Sequence, residues 1–174
     1  MMDEMERNEA KKIQTVCFTG HRNIPNEVME KLPDLLEKTI AELCERGATV
    51  FRTGGAMGFD TLAALTVLDM KETNPHLRLE LILPCLNRTD GWDDVSKQTY
   101  HYIMQKADDY RVLFEDYFEG CMLERDRQLV DGSDVCVAYC SRSQGGTAYT
   151  FMVAARGDLE IINLYDLLPA DVQD

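Results

Sequence analysis

Short runs of β-branched and apolar residues alternate with segments of helical period along the whole chain. That alternation limits the fold more than any other feature of the sequence. The β-rich runs fall at residues 14–19, 48–53, 77–83, 110–114, 134–139 and 159–164. Between the first two, Val28, Leu32, Leu35, Leu36, Ile40 and Leu43 follow a helical spacing. Pro33 fits there only if the regular helix starts beside it after a looser turn, and Gly47 is the expected stop. Further helices are expected over 58–73, 95–107, 121–130 and 145–156, and Pro84 is expected to end the third strand. Strands separated by helices pair in parallel and bury both faces of the sheet. The expected fold is α/β, a Rossmann-like, doubly wound and mainly parallel sheet of about six strands.

At 174 residues the chain fits a single domain with a core of its own. A charged N-terminal segment (1–13), a Rossmann-like domain (14–166) and a short tail (167–174) are expected. The N-terminal segment lacks the apolar stretch of a secretion signal, and no apolar run is long enough to cross a membrane. The chain reads as cytoplasmic. Its 31 acidic residues against 18 basic ones give a formal charge of −13. That balance, with lysines and arginines scattered, argues against a nucleic-acid partner, which needs a basic face. None of the six cysteines forms a CxxC pair, and the three histidines lie far apart, so no metal site is expected. Cys17 and Cys136 fall in apolar runs, as small buried hydrophobes do.

In a doubly wound sheet ligands bind beyond the carboxyl ends of the strands. Gly20-His21-Arg22 follows the first strand, where the glycine allows a tight turn and the arginine offers a fork to a phosphate or carboxylate. After the second strand comes Gly54-Gly55-Ala56-Met57-Gly58-Phe59-Asp60. Glycines at a strand-to-helix turn leave amides that, with the helix dipole, favour an anion. Its spacing is neither the dinucleotide fingerprint nor a Walker loop. Asp60 is open to two roles, accepting a ribose hydroxyl or complementing the dipole. Ser143-Gln144-Gly145-Gly146-Thr147 opens a further helix after the fifth strand, a second glycine-rich turn on the same edge. Glu124, Arg125, Asp126 and Arg127 form a charge run on the preceding helix, a solvated face unless Arg125 turns into the cleft. Cys85 holds a cleft position without a base beside it in sequence. Trp92, Tyr100 and Tyr149 could stack on a base, although core packing is the commoner fate of such rings.

Taken together, Thr19-Gly20-His21-Arg22, residues 53–60 and the span from Met122 through Gly145-Gly146-Thr147 resemble the SLOG superfamily, and within it the YpsA-like family of small bacterial proteins. The resemblance implies a Rossmann-like fold and a site for a nucleotide or nucleotide-derived ligand. LOG-type members are nucleoside monophosphate phosphoribohydrolases with a Met-x-x-Arg-Lys helix and a Gly-Gly-x-Gly-Thr-x-x-Glu loop. Here Met122, Arg125, Gly146 and Thr147 match. Asp126 stands at the lysine position and Thr150 at the glutamate position. Threonine cannot supply the carboxylate that glycosidic cleavage needs. DprA-like members share the Gly-x-Arg and Gly-Ala-x-Gly-x-Asp patterns of Gly20-His21-Arg22 and residues 55–60.

The expected function is therefore binding or sensing of a nucleotide-derived small molecule at the carboxyl edge of the sheet. LOG-like hydrolysis is the first alternative, and a protein-interaction adaptor with a vestigial pocket is the second. The expected ligand-binding residues are Gly20, His21, Arg22, Gly54, Gly55, Ala56, Gly58, Asp60, Arg125, Gly145, Gly146 and Thr147. No cofactor is expected, and the resemblance allows a homodimer.

Overall fold

The computed structural model describes residues 12–141, 153–155 and 157–173. Six strands form one all-parallel sheet: β1 (Thr15–Gly20), β2 (Val50–Thr53), β3 (Arg78–Cys85), β4 (Asp109–Phe114), β5 (Val135–Tyr139) and β6 (Glu160–Asn163). Their spatial order is β4-β3-β2-β1-β5-β6. The first four strands step outward in one direction, and β5 then lands on the far side of β1. The switch point of this doubly wound sheet thus lies between β1 and β5.

The intervening helices are α1 (Asn26–Met29), α2 (Leu32–Glu45), α3 (Phe59–Lys71), α4 (Asp94–Lys106) and α5 (Cys121–Val130), with a short α6 (Leu164–Leu167) after β6. Pro33 sits in the first turn of α2, where its missing N–H has no intrahelical partner to lose. α4 is capped by Asp93, whose carboxylate accepts from the Ser96 amide at 2.8 Å. Alternate strand residues sort the core into two layers. Val16 and Phe18 of β1 and Leu79, Leu81 and Leu83 of β3 face α2, α3 and α4. Cys17, Ile82 and Cys136 face the opposite side, against Leu129 and Val130 of α5 and Ala154. β5 is buried at every position, as a central parallel strand should be.

Two details depart from the sequence reading. Pro84 does not stop β3, which runs on to Cys85. β2 ends at Thr53, opposite Leu81, so beyond that point β3 pairs with β4 alone and the absent proline N–H breaks no ladder there. β6 ends at Asn163, and its amide side chain caps α6 by accepting from Tyr165 N–H. α6 then packs Leu164, Tyr165 and Leu168 into the main core. Among the described residues no helix is long and apolar enough to cross a membrane.

Candidate ligand-binding cleft

The carboxyl ends of β1 and β5 are tied together by a histidine. His21 is buried, and its Nε2 accepts from the Ser141 amide at 2.8 Å. An accepting Nε2 fixes the neutral tautomer with its proton on Nδ1. The ring also stands edge-on to Tyr139 at 5.4 Å. His21 therefore braces the switch point and also lines the cleft above it. Its neighbour Arg22 is exposed and free to meet a ligand.

Above this brace opens a cleft of about 370 Å³, in the size range of small-ligand sites. Gly20, Arg22, Ala56, Asp60, Met122 and Arg125 contribute to its wall. Three chain segments picked out separately from sequence thus meet at one place. Of the remaining expected residues, Gly54, Gly55 and Gly58 build the turn behind the wall. Gly145, Gly146 and Thr147 lie outside the described residues, as do Tyr149 and Thr150.

The β2–α3 turn owes its glycines to close packing. Gly58 has φ +79°, and a side chain there would come within 2.2 Å of the Arg22 carbonyl oxygen. That contact lets the Phe59 amide donate to the His21 carbonyl at 3.0 Å, joining the two turns. A Cβ on Gly54 would sit 2.2 Å from Nη1 of Arg125. The bare backbone is what admits the guanidinium, which donates from Nη1 to the Gly54 carbonyl at 2.7 Å.

The expected anion seat of this turn already has an occupant. The Ala56 amide donates to Oδ2 of Asp60 at 3.1 Å. Asp60 is buried in the first turn of α3, and burial pushes its carboxyl above the ordinary aspartate value against the pull of Arg125. The dipole role and a cleft position therefore coincide in one residue.

The charge run on α5 divides by helix face. Arg125 and Asp126 turn inward and are buried, with Nε of the arginine 2.8 Å from Oδ1 of the aspartate. Glu124 and Arg127 face outward in a loose pair at 3.8 Å. Asp126, which stands where LOG-type enzymes carry lysine, here holds the cleft arginine. Cys85 is buried, and burial raises its thiol, the opposite of an activated nucleophile.

One buried cation was missed by the sequence reading. Arg88, in the turn after β3, donates from Nη1 to the same Gly54 carbonyl at 3.0 Å. Two guanidiniums thus converge on one oxygen at the end of β2. Arg88 packs against Trp92 and Tyr100, with ring centroids 5.5 and 5.9 Å from Cζ. The strand-end rule pointed at this turn, but a lone arginine in a polar loop carries no periodicity to single it out. Among the described residues no group of three or more His, Cys, Asp or Glu is placed to hold a metal ion.

A doubly wound parallel sheet with an arginine-walled cleft at its switch point defines a Rossmann-like α/β protein. The sequence model of the YspA SLOG family (YpsA) matches residues 16–166. The chain belongs to that family. Among its relatives is a UPF0398 protein of Halalkalibacterium halodurans, 30% identical over 140 residues, covering 75% of this chain and 74% of the relative. Another is a UPF0398 protein of Brevibacillus brevis, 27% identical over 157 residues, covering 85% of this chain and 84% of the other. Among solved structures, the chain is similar to DNA processing protein A from Helicobacter pylori, described for its single-stranded DNA binding mode. The TM-score is 0.60 at 18% identity, over 94% of this chain and 75% of that one. DNA processing protein A from Streptococcus pneumoniae is similar at TM-score 0.61 and 15% identity, over 86% of this chain and 49% of that one. At these identities the likeness is one of fold.

Proposed function

We propose that the chain binds a phosphate-bearing, nucleotide-derived small molecule in the cleft above the β1–β5 switch point. The observation that carries the reading is the meeting there of Arg22 and Arg125, from distant segments, around a concave wall of suitable volume. Arg125 is already oriented by Asp126 and the Gly54 carbonyl, so little ordering remains for it on binding. Exposed Arg22 can then close over the same anion. Calorimetry with AMP and adenosine tests this. A charge-assisted hydrogen bond contributes about 1.5–3 kcal/mol, or roughly tenfold and more in affinity. Arg22→Ala should lose that much for AMP and nothing for adenosine. Equal binding of the two by wild type would refute the phosphate role.

A single-stranded nucleic acid is the second reading. It is supported by the fold shared with the Helicobacter pylori protein, and that likeness weakens the argument from net charge. Anisotropy of a labelled oligothymidylate separates the two. A nucleic-acid site would show affinity falling steeply with salt, and a small-molecule site would show no binding.

A further inference from the structure

Arg88 is 9% exposed. Its Nε and Nη2 are closed off from solvent and reach no acceptor. The faces of Trp92 and Tyr100 attract the cation but offer no lone pair to those N–H groups. Buried donors are nearly always paired, and an orphaned pair on a cation is a standing penalty that a methionine or leucine here would avoid. Burial and the charge of Arg125 push Arg88 down to about 10, which leaves it a cation at neutral pH. Asp60 is the carboxylate that acts on Arg88, and Asp126 is the one beside Arg125. Asp126 is engaged by Arg125, and Asp60 is bound to the Ala56 amide.

We propose that Arg88 and Arg125 form a second anion subsite over the end of β2, adjoining the one between Arg125 and Arg22. Arg125 shares the Gly54 carbonyl with Arg88 and the cleft wall with Arg22, and so serves both. A ligand that fills both places carries two linked phosphates, so the class is a nucleoside diphosphate or other pyrophosphate-bearing nucleotide rather than a monophosphate. The turn spanning residues 86–93 must lift for the second phosphate to reach Nε and Nη2, and Trp92 lifts with it. The nucleoside half of this assignment rests on the function proposed above, whereas the paired-anion half rests on Arg88 alone.

Trp92 is the single tryptophan of the chain, so its emission reports on this turn directly. Wild type, Arg88→Met and the charge-keeping Arg88→Lys are titrated with ADP, AMP and inorganic pyrophosphate in the presence of a chelator. Trp92 emission and calorimetry are both followed, after circular dichroism has shown each variant folded. Wild type should bind ADP at least about tenfold more tightly than AMP. Pyrophosphate alone should shift the emission. In Arg88→Met the preference for ADP over AMP should collapse, with ADP affinity falling toward that of AMP, and Arg88→Lys should restore part of it. Equal binding of ADP and AMP by wild type, or a preference that survives Arg88→Met, overturns the subsite and leaves the nucleotide reading standing. A pyrophosphate response that needs Arg88, with no nucleotide binding, keeps the subsite and removes the nucleotide reading. Silence with every probe removes both.

Discussion

Gly58→Ala tests the claim that two turns at the cleft are held together by contact of bare backbone. Gly58 has φ +79° and ψ −122°, a region closed to residues with a Cβ. Holding alanine there costs about 1–3 kcal/mol. The new methyl would also stand 2.2 Å from the Arg22 carbonyl oxygen, which is backbone and cannot swing aside. The turn carrying Arg22 must then retreat, and the Phe59 amide loses its bond to the His21 carbonyl, a further 0.5–1.5 kcal/mol or so. The expected loss is roughly 2–4 kcal/mol, out of the 5–15 kcal/mol that about spans ordinary domains.

Gly120→Ala is the matched control. Gly120 also has positive φ, at +97°, but nothing lies within 4 Å of an added Cβ. It should lose only the left-handed penalty, about 1–2 kcal/mol. Urea denaturation followed by circular dichroism gives both numbers, with the slope unchanged if only stability has moved. Gly58→Ala should also weaken any ligand held by Arg22, and Gly120→Ala should leave it alone. Equal destabilisation by the two substitutions would refute the contact argument.

Burial holds the Asp60 carboxyl protonated in the folded protein at pH values where the unfolded chain has released it. Its contribution to stability is therefore full below the unfolded value and fades as pH rises through the folded one. Asp60→Asn, neutral throughout, should flatten that part of a stability curve taken by denaturation from about pH 4 to 8 and be the more stable protein at the upper end. Arg125→Met removes one member of the buried Arg125–Asp126 ion pair and should cost about 3–5 kcal/mol in the same assay, with part recovered in Arg125→Met/Asp126→Leu. Cys17, Cys85, Cys121 and Cys136 are buried while Cys44 and Cys140 are partly open, so a disulfide reagent should label the last two first and the other four only on unfolding. If AMP is turned over, release of free base should vanish in Asp60→Asn, the buried carboxyl that lines the cleft.

The element types were legible because period and punctuation agree along this chain. The helix over Cys121–Val130 was read at its observed bounds, since Asp131-Gly132 ends it as abruptly in structure as in sequence. The strand order was not legible, because adjacency in a parallel sheet depends on which face each crossover covers. The inward turn of Arg125 was open as an alternative in the sequence, and the resemblance placed it among the expected ligand residues, whereas the inward turn of Asp126 was hidden. Four successive charges read as solvated, and only the bare backbone of Gly54, distant in sequence, makes room for a guanidinium. Arg88 was hidden for the same kind of reason: its partners Gly54, Trp92 and Tyr100 come from two turns and a helix.

The place of Asp60 changes how an anion must be recognised here. In a glycine-rich phosphate loop the turn amides and helix dipole face the ligand. In this turn the Ala56 amide already faces a carboxyl supplied by the chain itself. A phosphate on that spot would have to displace Asp60 or sit beside it as a second anion in a buried setting, where like charges repel most strongly. In the function proposed above, recognition passes from backbone amides to guanidiniums, which Arg22, Arg88 and Arg125 would supply. Two consequences separate this arrangement from an amide nest. Gly55→Ala, strained by φ +69° and by a Cβ 2.7 Å from Leu83, should disturb stability more than affinity per bound molecule. Above the pH at which the buried Asp60 carboxyl ionises, Asp60→Asn should strengthen phosphate binding, because there it removes a competing negative charge and leaves every arginine in place. Calorimetry with AMP on the folded Asp60→Asn variant decides between them. A gain in affinity supports recognition by arginines beside an internal acid. A loss would mean that Asp60 itself holds the ligand, through a ribose hydroxyl, and that the phosphate lies elsewhere.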